Sequence, residues 1–373
     1  MSDPASEPDV LAPESAEEIC EAIADCKDVL PVGKRTKTPL SAGNYAALMS
    51  TRNLSGIVQY EPSEFTITAL AGTSLAEIDG VLADRQQYLP FDPPLVDSGA
   101  TIGGTVAAGL SGPGRFRYGG VRDFLLGVQM VAAGGDIVRA GGKVVKNAAG
   151  FDIPKLMVGS VGRLAVLTEL TFKVFPKPAS ELTLYAKIDS HQQALEWISR
   201  LARSRYEFDA IDYRPFEGTI YARLRGPEAV NETMAKAIAD ESPLSVLAVE
   251  QADAFWTSLR EFEWRSDRVH LKVPVTIEQF LALQSWAESL EIADGAELHL
   301  SVAGAVAWIA VHPDAILGLH TQLCKAEIEA IAVRGDCSRW HWGCREHRAM
   351  QMRMKSAMDP HGCFPGSFAA VQS

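Results

Sequence analysis

Two stretches of this chain carry the groups that a bound diphosphate would need. PVGKRTKTPLSAG (31–43) follows a short apolar run and sets Lys34, Arg35 and Lys37 around Thr36 and Thr38, beside Gly33. GATIGGTVAAGLSGPG (99–114) combines Gly103, Gly104 and Gly112 with the hydroxyls of Thr101, Thr105 and Ser111. Consecutive backbone N–H groups in such loops form an anion-binding nest, and glycine lets a phosphate come close while reaching φ values that other residues avoid. The same text also reads as a glycine-rich β corner, and neither stretch decides the matter alone. Familiar nucleotide signatures are missing. No G-x-G-x-x-G follows a strand, and GGK (141–143) lacks the upstream glycine and following hydroxyl residue of a P-loop.

Other chemistry-bearing residues are scattered. Cys20 and Cys26 lie on an amphipathic stretch, and Cys324, Cys337, Cys344 and Cys363 fall near the end, with no C-x-x-C pair. That spacing excludes the usual zinc-ribbon, iron–sulfur and thioredoxin arrangements. CSRWHWGCREH (337–347) brings two cysteines near His341 and His347, but its spacing fits a buried, tryptophan-rich turn with free thiols better than a metal site. In KVVKNAAGFDIPKLMVGSVG (143–162), Lys143 and Lys146 read either as solvated strand lysines or as anion contacts. Asp152, after Gly150 and Phe151, caps a short helix.

The chain of 373 residues carries a formal charge of −12, so nucleic acid and anionic lipid are poor partners. Any anion it binds must be captured locally. No run is apolar and long enough to span a bilayer, and the polar, acidic, proline-bearing start is unlike a secretory leader. A cytoplasmic location follows as the expectation, with membrane association only through partners and no direct insertion.

The elements that must position these residues can be read from periodicity. A flexible start (1–13) precedes a helix over 14–26, a strand in DVLPVG, and strands in GIVQY (56–60) and FTITALA (65–71). Ser74 with Glu77 starts a helix over 75–86. The glycines of 99–162 suggest short strands joined by tight turns. LAVLTELTFKVF (164–175) reads as a long strand with Leu164, Val166, Thr168, Leu170, Phe172 and Val174 on one face. After residue 180 the pattern becomes strand, helix 190–201, strands 208–214 and 218–224, helix 227–240 and strand 244–250. A second pass holds strand 269–275, helix 277–290 capped by Thr276 and Gln279, a hairpin, and a last helix from Asp314 to about 331. Two open-faced αβ sandwiches in series describe 181–331.

Taken together and in order, five blocks resemble the vanillyl-alcohol oxidase/p-cresol methylhydroxylase (PCMH)-type FAD-binding family: PVGKRTKT, GIVQYEP…ITALAGTSLAEID, GATIGGTVAAGLSGPGRFRYGGVRDFLLGVQMV, KNAAGFDIPKLMVGSVGRLAVLTELTFKVFPKP and MKSAMDPHG. Within the family the likeness is strongest to the FAD-binding subunits of bacterial glycolate oxidases. It is dense over 30–178 and thinner beyond, where ADAFWTSLREFE and RVHLKVPV still match. The resemblance implies an α+β fold: a PCMH-type FAD-binding domain of two α/β subdomains (14–178), a ferredoxin-like αβ-sandwich cap (181–331), and a segment (332–373) returning to the first domain.

It also implies FAD contacts. They fall on Gly33, Lys34, Arg35, Thr36 and Lys37 at the diphosphate; on Pro94, Thr101, Gly103, Gly104 and Thr105; on Ser111, Gly112, Tyr118 and Gly119 toward the flavin and ribityl chain; and on Gly162, Val166 and Leu167 at the adenosine end. Members that bind FAD covalently through the first loop use a histidine there. Residues 31–43 hold none, which implies non-covalent FAD. Lys34 and Arg35 replace glycines common in that loop, and Cys363-Phe364-Pro365-Gly366-Ser367 stands where the family often ends F-N-P-G-R, leaving the terminal contact open.

The implied function is an FAD-binding subunit of a glycolate oxidase-like, 2-hydroxy-acid dehydrogenase complex, passing electrons between a catalytic flavoprotein and an iron–sulfur subunit. A self-sufficient FAD-dependent 2-hydroxy-acid dehydrogenase and a flavin-free scaffold are the alternatives. The histidine-rich motif of related catalytic subunits has no counterpart here. His299 is an isolated strand histidine, and Arg115, Arg117 and Arg122 fit a carboxylate site or domain salt bridges equally. Trp256 and Arg260 share a helical face and read as structural or interfacial.

Overall fold

The computed structural model describes residues 9–25, 27–43, 45–142, 151–290, 295–344 and 348–366. Cys26, Lys143, Lys146, Gly150, His347 and Ser367 lie outside the described residues. Among the described residues the first unit has two main sheets and a two-stranded pair, Gln87–Tyr88 with Phe175–Pro176. In a three-stranded parallel sheet, Asp9–Leu11 and Val29–Val32 flank Ala47–Ser50. Helix Ala16–Asp25 buries Ile19 and Ile23, one turn apart, against it. The second sheet is antiparallel, in the order Ile57–Glu61, Thr66–Leu70, Val166–Lys173, Leu125–Val131, Ile137–Gly141.

Val166–Lys173 is buried on both faces rather than on one. Val166 packs with Ile19, while Leu167 packs in the core that holds Ile102, so the strand is a wall between two cores.

The glycine-rich 99–114 segment is not strands and turns. Thr101 caps a helix, Ile102–Ala108, by accepting a hydrogen bond from the Gly104 N–H at 3.2 Å. Glycine ordinarily disfavours a helix, yet a Cβ on Gly103 would stand 2.7 Å from the Ala71 carbonyl oxygen. Close packing of the helix on its neighbour therefore needs the glycine, and tertiary contact overrides propensity. Two further one-turn helices, Arg115–Tyr118 and Val121–Phe124, follow before the sheet resumes.

Residues 180–343 build one nine-stranded antiparallel sheet. Its order is Ser245–Val246, Ser180–Lys187, Thr219–Gly226, Ala210–Arg214, Ala296–Ser301, Val306–Val311, Val269–Pro274, Glu329–Arg334, His341–Gly343. The two αβ passes seen in the sequence are fused through Tyr213 opposite Leu300. Helices His191–Ala202, Glu228–Glu241, Ile277–Glu288 and Ile316–Lys325 contribute to one continuous apolar core on one face. Ser190 and Thr276 cap two of them as their spacing predicts, each accepting from the N–H three residues on.

Two boundaries differ from the periodicity. The strand expected over 244–250 is only Ser245–Val246, because helix Val249–Glu261 starts within it to bury Ala252, Phe255, Trp256 and Leu259 on the sheet's other face. The helix expected to reach 331 stops at Lys325: Glu327 takes a left-handed φ of +55°, and 329–334 pair into the sheet instead. Asp314 does not cap it: the helix starts at Ile316 without a side-chain cap, and the His312 ring, which accepts from the Asp314 N–H, caps the 3-10 turn Pro313–Ala315 before it. Asp152 caps Ile153–Met157 as expected.

Past the sheet, helix Arg348–Met358 leads back to the first unit. Lys355 donates to the carbonyls of Arg163 (2.7 Å) and Phe364 (3.0 Å), and Phe364 is buried with Ile19 and Val29. Among the described residues no helix is long and apolar enough to cross a membrane, and no group of three His, Cys, Asp or Glu could hold a metal ion.

Candidate functional site

Two concave regions stand out, one inside the first unit and one between it and the nine-stranded sheet. The first is built on the end of strand Val29–Val32. The loop Gly33–Lys37 turns over the start of helix Ile102–Ala108, and a cavity there is lined by Gly33, Lys34, Arg35, Thr36, Lys37, Thr101, Gly104 and Gly162. An adjoining one adds Gly103 and Leu167. Gly33 lies so close to the helix cap that a Cβ would stand 2.2 Å from Thr101 Oγ1. Backbone strain gathers here. Arg35 adopts φ +54°, and Val161 and Gly162 are consecutive left-handed residues at φ +49° and +66°. A β-branched residue at positive φ is a true outlier, and such strain collects at ligand clamps.

Lys37 is the most informative residue of this loop. Its side chain is only 7% exposed, and among the described residues its hydrogen-bond partner is the Thr36 hydroxyl at 3.5 Å. Burial lowers its pKa from 10.5 to about 8, partly opposed by the Glu261 carboxylate. A buried amine with no carboxylate bonded to it, in a turn rich in N–H and hydroxyl groups, suits a diphosphate.

The second region is a cavity of about 390 Å³ between the loops of the first unit and the inner face of the nine-stranded sheet. Pro94, Ser111, Gly112 and Asp92 line it on one side. On the other are Trp256, Trp264, Trp308, Phe262, Arg223, Arg225, Asp212, His299 and Ser301. Its size is that of ordinary small-molecule pockets.

Polar residues spaced two apart reach it from adjacent strands. Arg223 is ion-paired to Asp209 (2.5 Å) and to Asp92, and Arg225 to Asp92 (2.9 Å) and Glu181 (2.6 Å). Burial opposes ionisation of Asp92, but the two guanidiniums hold its carboxyl below the usual carboxylate range. Asp92 thereby clamps the first unit to the sheet. His299 Nε2 lies 2.7 Å from Asp212 Oδ2, and Ser301 Oγ donates to Asp212 Oδ1 at 3.0 Å. His299 is 1% exposed, and among the described residues its buried Nδ1 has no hydrogen-bond partner.

The two units are also tied by Glu261, a buried carboxylate that accepts from the N–H groups of Asp97 (3.1 Å) and Ser98 (3.0 Å). Lys272 Nζ donates to the Gly109 carbonyl at 3.1 Å, and burial lowers that amine to about 8.

Most residues expected at the site converge on these regions, but four do not line either. Thr105 is buried inside its helix, and Tyr118 stacks edge-on against Phe175 with Gly119 beside it. Val166 is a core residue paired with Val131. Of the three arginines, none lines the larger cavity, and Arg117 pairs with Glu207. Trp256 and Arg260 do line it.

Sequence reasoning missed Asp212, Arg223, Arg225 and the accompanying arrangement of His299. A signal existed: TIYARLRG and ELHLS each place polar residues at every second position of strands whose other face is apolar.

Residues 9–141 match a family described as an FAD binding domain. The chain is 37% identical over 245 residues to the glycolate oxidase subunit GlcE of Escherichia coli, spanning 66% of this chain and 67% of that one. It is 29% identical over 288 residues to the glycolate oxidase subunit GlcD of Bacillus subtilis, covering 74% of this chain but 59% of that relative. In fold it is similar to p-cresol methylhydroxylase with substrate bound, at a TM-score of 0.72 and 12% identity over 95% of this chain and 87% of that one.

Proposed function

The chain belongs to the PCMH-type FAD-binding family and is an FAD-dependent oxidoreductase; from that premise we propose that it is the flavin subunit of a 2-hydroxy-acid-oxidising complex. When bound, FAD supplies a two-electron acceptor for a hydride from the carbon that carries the substrate hydroxyl. Gly33–Lys37 with Thr101, Gly103 and Gly104 would hold the diphosphate, and Gly162 and Leu167 the adenosine end. Pro94, Ser111 and Gly112 would present the ring system to the larger cavity. The observation that carries this reading is the Gly33 cradle closed against Thr101 beside the buried amine of Lys37. With no histidine in 31–43, FAD is held without a covalent bond.

In the finer reading the subunit passes electrons between a catalytic flavoprotein and an iron–sulfur subunit, in keeping with its likeness to an oxidase described as a subunit. One observation favours a second reading, in which this chain oxidises a hydroxy acid itself: the Asp212–His299 pair on the wall of a cavity that also carries Trp256, Trp264, Trp308 and Phe262. Anaerobic mixing of the FAD-loaded chain with glycolate or D-lactate separates the two. Bleaching of the flavin by the isolated chain supports its own oxidation. An unbleached flavin that is reduced only when a co-purifying flavoprotein is present supports the relay.

A further inference from the structure

We propose that Arg163 is a positioning residue for the diphosphate cavity. Its guanidinium fastens the Val161–Gly162 turn to the loop that carries Lys37, and ties both to Trp340 beside the last strand of the nine-stranded sheet. The inference rests on the reading that this cavity holds FAD. Val161 and Gly162 are consecutive left-handed residues, and both line the cavity. Such a turn persists only where its surroundings fix it. Its N–H groups are held by helix Ile102–Ala108: Gly159 donates to the Val106 carbonyl at 3.0 Å and Val161 to the Ala107 carbonyl at 2.9 Å. Its carbonyl side is held by Arg163, whose Nη1 donates to the Val161 carbonyl and, at 3.1 Å, to the Leu40 carbonyl. Leu40 also lines the cavity. It belongs to the 3-10 turn Thr38–Ser41, and its N–H donates to the Lys37 carbonyl at 3.1 Å. One guanidinium thus sets the spacing between two walls of the cavity, and with it the place of the Lys37 amine.

Arg163 is also a charge without a counter-charge. It is 3% exposed, no carboxylate among the described residues pairs with it, and its Nε is buried without a hydrogen-bond partner. Burial lowers its pKa from 12.5 to about 10, so it remains a cation at neutral pH. The Trp340 ring, 5.3 Å from the guanidinium carbon, and the two carbonyls offset part of the cost. A clamp between two carbonyls needs only a neutral donor, whereas a buried cation is expensive until an anion arrives. Lys37 is a second buried cation with no bonded carboxylate, so one stands in the cavity wall and one behind it. A diphosphate offsets both charges, which a purely packing role for Arg163 would leave unexplained.

Titration of FAD into the stripped chain, followed by flavin fluorescence, tests this together with hydrogen exchange on the same samples. Arg163→Met should weaken FAD roughly tenfold to a hundredfold under conditions where urea unfolding shows the stripped variant folded. Arg163→Lys, which keeps the charge but loses the planar fork, should recover part of that loss. In the unsubstituted chain FAD should slow amide exchange at 33–37, at 159–163 and, across the guanidinium, at 340–343. In Arg163→Lys the protection at 340–343 should shrink while that at 33–37 remains. A residue that served the fold alone would shift urea unfolding and leave the pattern of protection unchanged. FAD affinity unchanged in either variant, equal losses in both, or protection in the unsubstituted chain that does not extend to 159–163 and 340–343 would each overturn the proposal. The last needs no variant to fold. A chain that takes up no FAD, with no protection even at 33–37, defeats the underlying reading instead.

Discussion

FAD affinity should fall as pH rises above about 8, and Lys37 should be the cause. Its amine ordinarily titrates at 10.5 and is lowered to about 8 by burial. The difference of 2.5 units means that burial disfavours the ammonium by about 3 kcal/mol. A diphosphate beside the amine supplies the missing counter-charge, so FAD binding draws a proton onto Lys37 wherever the unliganded protein has lost it. Between about pH 8 and 10.5 the affinity should drop by up to about tenfold per pH unit.

Stability of the unliganded chain should move in the opposite sense. A cation whose folded pKa is depressed binds fewer protons than in the unfolded chain across that window, so this contribution grows as pH rises through it. Below about 8 both states are protonated and the penalty is constant. Titration of FAD into stripped protein, followed by flavin fluorescence at several pH values, measures the first trend, and urea unfolding measures the second. Lys37→Met should bind FAD about tenfold to a hundredfold more weakly near neutrality and lose the pH slope. Parallel pH profiles for the two proteins would refute the reasoning, because Lys34 and Arg35 are common to both.

Two further predictions concern the frame around that loop. Gly33→Ala should cost about 1–3 kcal/mol through its collision with Thr101 Oγ1, and Thr101→Ala about 1 kcal/mol through loss of the helix cap. Together they should cost less than the sum, since Thr101→Ala removes the hydroxyl that the methyl added by Gly33→Ala would strike, and denaturant unfolding of the four proteins reads that coupling. Lys355→Met should lower stability by about 3–5 kcal/mol, because it leaves Asp359 buried without its cation and frees the carbonyls of Arg163 and Phe364; thermal unfolding of the stripped protein measures it.

The loop proposed to hold the diphosphate is legible because its chemistry is local: glycine, hydroxyl and cation stand within five residues, from Gly33 to Lys37. The family likeness supplied the rest of that region. Helix Ile102–Ala108 was not legible, since its glycines argue against a helix until the Ala71 carbonyl beneath Gly103 is seen. The end of the last cap helix was misplaced for a related reason, because the turn at Glu327 leaves no glycine or proline to mark it. His299 looked ordinary because its meaning lies in Asp212, 87 residues away on a neighbouring strand. The two passes of the cap looked separate because a single register match, Tyr213 to Leu300, fuses them. Long-range pairing of this kind leaves only an alternation of polar residues in the text, and alternation does not name a partner.

The most direct test of the account is the visible spectrum of the purified chain, followed by acid precipitation. The account predicts a flavin spectrum at about one FAD per chain, with all of the flavin released into the supernatant, as a diphosphate held by Gly33–Lys37 and Thr101 without a covalent link requires. A chain that is colourless and stays so after FAD is added would contradict it.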